Sequence, residues 1–225
     1  MKLVLKLGGF IFPADLDSRK IRLYADLIKK LRKQGHRVVL VAGGGETARR
    51  YIEAARTLGA SESVCDQLGI YVARLNARLL IEALEEEAYP EVPENVEELR
   101  RFFALGKVVA MGGLQPGHST NAVAVVAAET VHADALVNVT DVDGVYTQDP
   151  TKYPKAKKLD QISTRELLRM VLKGGIGAGE YELIDPLAVR MIGRSRIPTW
   201  IVSGKDPSNV ERVLRGERVG TKIIP

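Results

Sequence analysis

Short apolar runs alternate along this chain with longer stretches of helical periodicity. Leu3 to Leu7 is apolar except at Lys6 and predicts a strand that ends in Gly8-Gly9. From Asp17 to Lys33 the apolar positions Ile21, Tyr24, Leu27, Ile28 and Leu31 recur at helical spacing, and Gly35 stops the helix. Val38 to Ala42 predicts a second buried strand, ending in Gly43-Gly44-Gly45. A helix follows from Glu46 to Leu58. A longer one runs from Glu62 to Glu86, with Leu68, Val72, Leu75, Leu79 and Leu80 on a broad apolar face. Pro90 and Pro93 make the next segment a loop. A short helix over Glu97 to Leu105 leads into a third strand, Val108 to Met111, which ends in Gly112-Gly113. Asn121 to Val131 is helical, and Ala135 to Thr140 is a fourth strand. The polar, lysine-rich stretch 147–159 reads as a surface loop. Ser163 or Thr164 caps a helix to Leu172 with Glu166 in its first turn; Leu187 to Arg194 is helix, Thr199 to Ser203 a late strand, and Ser208 to Leu214 a last helix.

Strand, glycine turn, helix thus appears three times. The pattern predicts an α/β fold, a three-layer sandwich with a mostly parallel central sheet covered by helices on both faces. Residues 1–225 read as one domain of two lobes, 1–113 and 114–225.

Composition narrows the function. The 225 residues are 45% hydrophobic, enough for a substantial core, and carry a formal charge of +5 from 33 basic and 28 acidic residues. The charges are interleaved, which suits an anionic small substrate. Aromatic residues make up only 5%, so no base-stacking surface is expected and no nucleic-acid partner is assigned. The single cysteine, Cys65, excludes an internal disulfide and a multi-cysteine zinc site, and reads as a buried structural thiol. With neither a signal peptide at the N-terminus nor an apolar stretch of membrane-spanning length, the expectation is a soluble cytoplasmic protein.

The candidate chemistry gathers at strand ends. In a parallel α/β sheet, ligands bind beyond the carboxyl ends of the strands. Glycine there lets backbone N–H groups approach an anion, and the following helix adds its positive N-terminal end. No G-x-x-x-x-G-K-[ST] loop and no G-x-G-x-x-G fingerprint is present, which disfavours a Walker-type nucleotide site and a dinucleotide oxidoreductase. Lys6, inside an apolar strand, is either an edge-strand charge facing water or a cation aimed at a transferring phosphoryl group. Arg49 can reach back over Gly43 to Gly45, whereas Arg50 reads as a solvated helix residue. Ser119-Thr120 begin a helix and offer hydroxyls and free N–H groups to an anion, or simply cap it. Asp141 and Asp143 could hold Mg²⁺, position cations, or build the turn at Asp143-Gly144. His36 and His132 read as surface residues; His118 lies inside the candidate anion loop.

Four motifs carry a resemblance: Leu5-Lys6-Leu7-Gly8-Gly9; Gly43 to Tyr51; Met111 to Thr120; and Thr140 to Pro150, with its Val142-Asp143-Gly144-Val145-Tyr146 element. Together with Ile184-Asp185-Pro186-Leu187-Ala188 and the tail Ile223-Ile224-Pro225, they resemble the amino acid kinase superfamily, and within it the archaeal UMP kinase branch, over almost the whole length. The resemblance implies the amino acid kinase (carbamate kinase-like) fold and transfer of the ATP γ-phosphate to UMP with Mg²⁺ held through nucleotide phosphates. It places Lys6, Arg49 and Asp143 in catalysis. It implies ATP contacts from Gly9, Phe10, Gly45, Arg49, Thr140, Asp141, Tyr146 and Asp149. For UMP it implies Gly44, Asp66, and the run Leu114, Gln115, Pro116, Gly117, His118, Ser119 and Thr120. It also implies a homohexamer, with residues 1–113 on the acceptor side and 114–225 on the ATP side.

Three positions depart from the pattern: Asp141 stands where archaeal relatives have Asn, Asn121 replaces an acidic residue of some relatives, and Arg190 stands where lysine is common. Two alternatives stand beside this reading. One is another kinase of the superfamily, acting on a carboxylate, a carbamate or isopentenyl phosphate. The other is a nucleotide-binding module without catalysis.

Overall fold

The computed structural model describes every residue except Asp149, Thr151 and 174–182. A seven-stranded sheet forms its middle layer. The strands are β1 (Lys2–Leu7), β2 (Arg37–Ala42), β3 (Val109–Met111), β4 (Ala135–Thr140), β7 (Gln161–Ser163), β8 (Thr199–Ser203) and β9 (Thr221–Ile224), in the order β3-β2-β1-β4-β8-β9-β7. All neighbours pair in parallel except β8 and β9. A separate antiparallel pair, β5 (Val145–Tyr146) and β6 (Lys158–Leu159), stands outside the sheet.

Helices cover both faces. Alternate residues of each strand point to opposite sides. Leu3, Leu5 and Leu7 therefore pack with α1 (Ser18–Lys33), α3 (Glu62–Leu84) and α8 (Ser208–Leu214), while Val4 packs with α4 (Val96–Ala104), α5 (Thr120–Val131), α6 (Thr164–Leu172) and α7 (Pro186–Ser195). Helix α2 (Gly45–Thr57) lies against α3. The continuous apolar runs follow from this burial on both sides, and each fully buried leucine contributes about 1.5–3 kcal/mol relative to exposure. Helix starts are set locally. The side chains of Asp17, Ser61, Asn95, Ser119, Ser163 and Asp185 each accept a hydrogen bond from an N–H of the first turn, and Pro186 follows Asp185 at the first helical position.

The main strands and helices lie where the periodicity puts them, within a residue or two. Four short strands do not. The stretch expected as one loop over 147–159 ends in β6; β5, β7 and β9 were not expected at all, and the tail Ile223-Ile224 runs inside the sheet between β8 and β7. The long helix ends at Leu84 and tightens into a 3₁₀ turn over Glu85–Glu87. Cys65 is fully buried. His132 is exposed, but His36 is half-buried rather than on the surface, with its Nδ1 enclosed and without a partner among the described residues.

Candidate active site

The topology places β1 between β2 and β4, so Lys6 sits at the centre of the sheet and the edge-strand explanation of its charge falls away. The ends of β1, β2 and β3 lie side by side at one edge. The first two glycine turns pack on one another: a Cβ on Gly9 would stand 2.8 Å from Gly45 Cα. Gly45 has φ +68°, in the left-handed region, and a Cβ there would drive into the Phe12 carbonyl oxygen.

Beyond these turns opens a cleft of about 310 Å³, walled by Lys6, Gly9, Gly43 to Gly45, Arg49, Ser119 to Asn121 and Asp185. The N-terminal ends of α2, α5 and α7 all contribute to this wall. Each adds a partial positive charge and helix N–H groups, so the cleft suits an anion on electrostatic grounds alone. A second cleft of about 200 Å³ shares Gly44, Gly45 and Thr120 with the first and extends over α3, reaching Asp66, Gly69, Ile70, Ala73, Gly113 and His118. The two clefts therefore form one continuous site, with the Lys6 end at one side and the Asp66 end at the other.

Lys6 is half-buried, and among the described residues its ammonium makes no hydrogen bond or ion pair. Burial pulls its pKa down to about 8, with the carboxylates of Asp141 and Asp185 offsetting part of that effect. Lys6 is thus a cation held within reach of two anions but paired with neither. Arg49 is exposed at the cleft wall, whereas Arg50 is tied to Glu46 one turn back on the helix surface, as its position predicts.

The loop between β3 and α5 carries the remaining residues expected around the acceptor. Asp66 on α3 accepts a hydrogen bond from Gly117 N at 2.7 Å, which ties this loop to the helix. Gln115 Nε2 lies 3.2 Å from His118 Nε2, Leu114 packs on the core, and Pro116 is exposed. Ser119 does two jobs at once. Its hydroxyl oxygen accepts from Ala122 N, capping α5, and its O–H donates to the Asp185 carboxylate before α7.

Thr140 ends β4, and Asp141, Asp143 and Tyr146 follow it; none of the four lines either cleft, although Asp141 is near enough to Lys6 to act on its charge. The Thr140 hydroxyl donates to Asp141 at 3.0 Å. Tyr146 OH donates to Asp143 at 2.8 Å, and Lys158 forms an ion pair with Asp143 at 3.3 Å. Burial raises the Asp143 pKa, but Tyr146 and Lys158 outweigh it and hold the carboxyl below its ordinary value. Asp143 is therefore engaged with the hairpin turn, away from the Lys6 cleft. Phe10 turns its ring toward Gly204, after β8. Asp149 lies outside the described residues.

Sequence reasoning did not single out Asp185, Asn121 or Asn138 as site residues, yet all three line cavities that Lys6 lines. Asn138 left a signal: it is a polar residue inside the apolar run Leu136 to Val139, the same oddity that marks Lys6.

A mostly parallel sheet with paired glycine turns at one edge, a lysine on an interior strand and converging helix N-termini define a phosphotransferase of the amino acid kinase type. The amino acid kinase family model matches residues 1–203, and the chain belongs to that family. The uridylate kinase of Methanothermobacter thermautotrophicus is 48% identical over 225 residues, covering all of both chains. That of Sulfolobus acidocaldarius is 45% identical, again over the full length of both. The crystal structure of uridylate kinase from Archaeoglobus fulgidus superposes with a TM-score of 0.89 at 43% identity, covering 99% of this chain and 100% of that one.

Proposed function

We propose that this chain is a nucleoside monophosphate kinase that transfers the γ-phosphoryl group of ATP to UMP, giving UDP and ADP, in pyrimidine nucleotide biosynthesis. The observation that carries the reading is the continuous two-part cleft with an unpaired lysine at the end where three helix N-termini meet. An oxygen of the UMP phosphate attacks the γ-phosphorus, the bond to the β,γ-bridging oxygen breaks, and ADP leaves. Little covalent chemistry is asked of the protein, which positions two anions and stabilises charge on the moving group.

Lys6 supplies that charge, helped by Arg49. Gly9, Phe10 and Gly45 run along the ATP phosphates, and the close packing of Gly9 on Gly45 holds the two turns together. Thr140, Asp141, Tyr146 and Asp149 hold the adenosine, and Asp143 orders that turn through Tyr146 and Lys158. Gly44 and the loop from Leu114 to Thr120 surround UMP, whose ribose hydroxyls donate to Asp66. Mg²⁺ enters with the nucleotide phosphates; among the described residues no group of three His, Cys, Asp or Glu side chains is placed to hold a metal. The 1–113 lobe lies on the acceptor side and the 114–225 lobe on the ATP side, with Gly9, Phe10 and Gly45 reaching the ATP phosphates and the 114–120 loop reaching back to UMP. The working form is a cytoplasmic homohexamer, in keeping with exposed Tyr51, Tyr71 and Leu75 on α2 and α3 and exposed Leu58 just after α2. Among the described residues no helix is long and apolar enough to cross a membrane.

A coupled assay of ADP release with ATP and a panel of acceptors tests the reading. UMP-dependent turnover exceeding that with carbamate, carboxylates or isopentenyl phosphate sustains it, and binding of UMP without turnover overturns it.

A further inference from the structure

Asn138 is 4% exposed on the central strand β4, and among the described residues its side-chain Oδ1 has no hydrogen-bond partner. A buried amide oxygen left unpaired costs about 1–3 kcal/mol, so its environment needs an explanation. The partner of Asn138 across the β1–β4 ladder is Lys6. Residues in register on adjacent parallel strands are about 4.8 Å apart and project from the same face. Lys6 and Asn138 also line the same small cavity under α5, together with Asn121, Thr199 and apolar side chains. One strand therefore presents a cation with no hydrogen-bond acceptor among the described residues, and its neighbour presents an acceptor with no donor.

The orientation of the amide follows from the same pair. Asn138 Nδ2 donates to Asn121 Oδ1 at 3.1 Å, which leaves Oδ1 for the cavity. Turning both amides over would keep that hydrogen bond but present N–H groups to an ammonium, so the lysine charge selects the orientation seen.

We propose that Asn138 is a positioning residue for Lys6: its Oδ1 accepts a hydrogen bond from the ammonium and fixes it at the mouth of the cleft, with Asn121 holding the amide in place. The inference rests on the role given to Lys6 above. A neutral acceptor suits that role. A carboxylate at 138 would pair with the lysine and cancel the charge the phosphoryl group needs, whereas an amide orients the cation and leaves the charge intact. Among the described residues the other charged groups around Lys6 are Asp141 after β4, Asp185 before α7 and Arg49 on α2; the start of α5 brings the uncharged Ser119, Thr120 and Asn121.

The test uses the full chain with Asn138→Leu and Asn138→Asp. The ionisation of Lys6 is followed by ¹³C NMR of lysine-labelled protein, assigned with Lys6→Arg, beside kcat and KM as functions of pH. A hydrogen bond to a charged group is worth about 1.5–3 kcal/mol, or about one to two pKa units. Asn138→Leu is expected to lower the Lys6 pKa by about that much, move the alkaline limb of kcat/KM down equally, and reduce kcat at least about tenfold with KM changed less than about threefold. Asn138→Asp, close in shape and suited to the case where the leucine variant does not fold, is expected to raise the Lys6 pKa and lower kcat at neutral pH. An unmoved Lys6 pKa in either folded variant overturns the proposal. The NMR titration needs no substrate, so it decides this contact even if wild-type protein phosphorylates no acceptor, a result that would fall on the kinase reading alone.

Discussion

Two glycine-rich regions of this edge look alike in the sequence and are built differently. At the ends of β1 and β2 the glycines are needed because two backbones press on each other, Gly9 against Gly45, and the paired turns form the wall of the Lys6 cleft. At the end of β3 they are needed because a helix presses on a strand. A Cβ on Gly112 would stand 2.6 Å from the Ala73 carbonyl carbon, and one on Gly113 would meet Ile70 at 2.6 Å, both on α3. Glycine at a strand end therefore has two meanings here. In the first region it lets two turns pack into the wall of the Lys6 cleft; in the second it seats α3, which carries Asp66 to the neighbouring cleft.

The largest effect is expected at the first region. Lys6→Ala should lower kcat by about 10²–10³-fold, or roughly 3–4 kcal/mol, with a modest change in KM, because the charge matters most in the transition state. Steady-state kinetics with UMP checks this, and an unchanged kcat removes Lys6 from the mechanism. Gly45→Ala comes next: a positive φ and a clash with the Phe12 carbonyl should cost about 3 kcal/mol of stability and remove most activity even in the folded fraction. Denaturant unfolding and activity per folded molecule read the two parts separately.

The second region should respond otherwise. Gly112→Ala should cost about 2 kcal/mol of stability while kcat of the folded protein stays within about twofold. A large loss of kcat without destabilisation would erase the distinction between the regions. Asp66→Ala should raise KM for UMP about tenfold, about 1.4 kcal/mol, and leave KM for ATP near the wild-type value. Part of that loss comes from the Gly117 N–H, which loses its carboxylate acceptor. Normal UMP binding in this variant would place the ribose elsewhere.

A further effect is the pH dependence of stability. Folded Lys6 releases its proton near pH 8, while the unfolded chain keeps it to about 10.5. Between those values the unfolded state binds more protons, so the contribution of Lys6 to stability rises with pH. Over the same range kcat/KM falls, since the neutral amine stabilises no phosphoryl charge. Unfolding midpoints at pH 7.5 and 9.5, wild type against Lys6→Met, isolate the first trend; a wild-type curve parallel to that of the variant would show that Lys6 titrates alike in both states.

The sheet and most helices were legible because burial on both faces writes itself as unbroken apolar runs, as in Val38 to Ala42 and Ala135 to Thr140. The missed strands lack that signature. Gln161–Ser163 has a single apolar residue, Ile162. Thr221 stays buried in β9 only because its hydroxyl accepts from Val145 N and donates to the Leu159 carbonyl, groups some sixty to eighty residues away. No local pattern encodes such partners. The same holds in the site. Lys6 stood out as a charge in a strand, and Ser119 as a cap before a helix. Asp185 stood only as part of the motif Ile184 to Ala188, and the bond that joins it to Ser119 spans 66 residues.

The contact between Gly9 and Gly45 also bears on heredity. A damaging substitution in a packed core can often be rescued by a second change that makes the neighbour smaller. Here the neighbour is already the smallest residue there is. A side chain gained at Gly9 meets the main chain of Gly45, and no shrinking of position 45 can make room for it. Suppressors of a Gly9 mutation would have to shift backbone, and they would fall in the turns around Phe12 and Gly43 rather than at the residue touched.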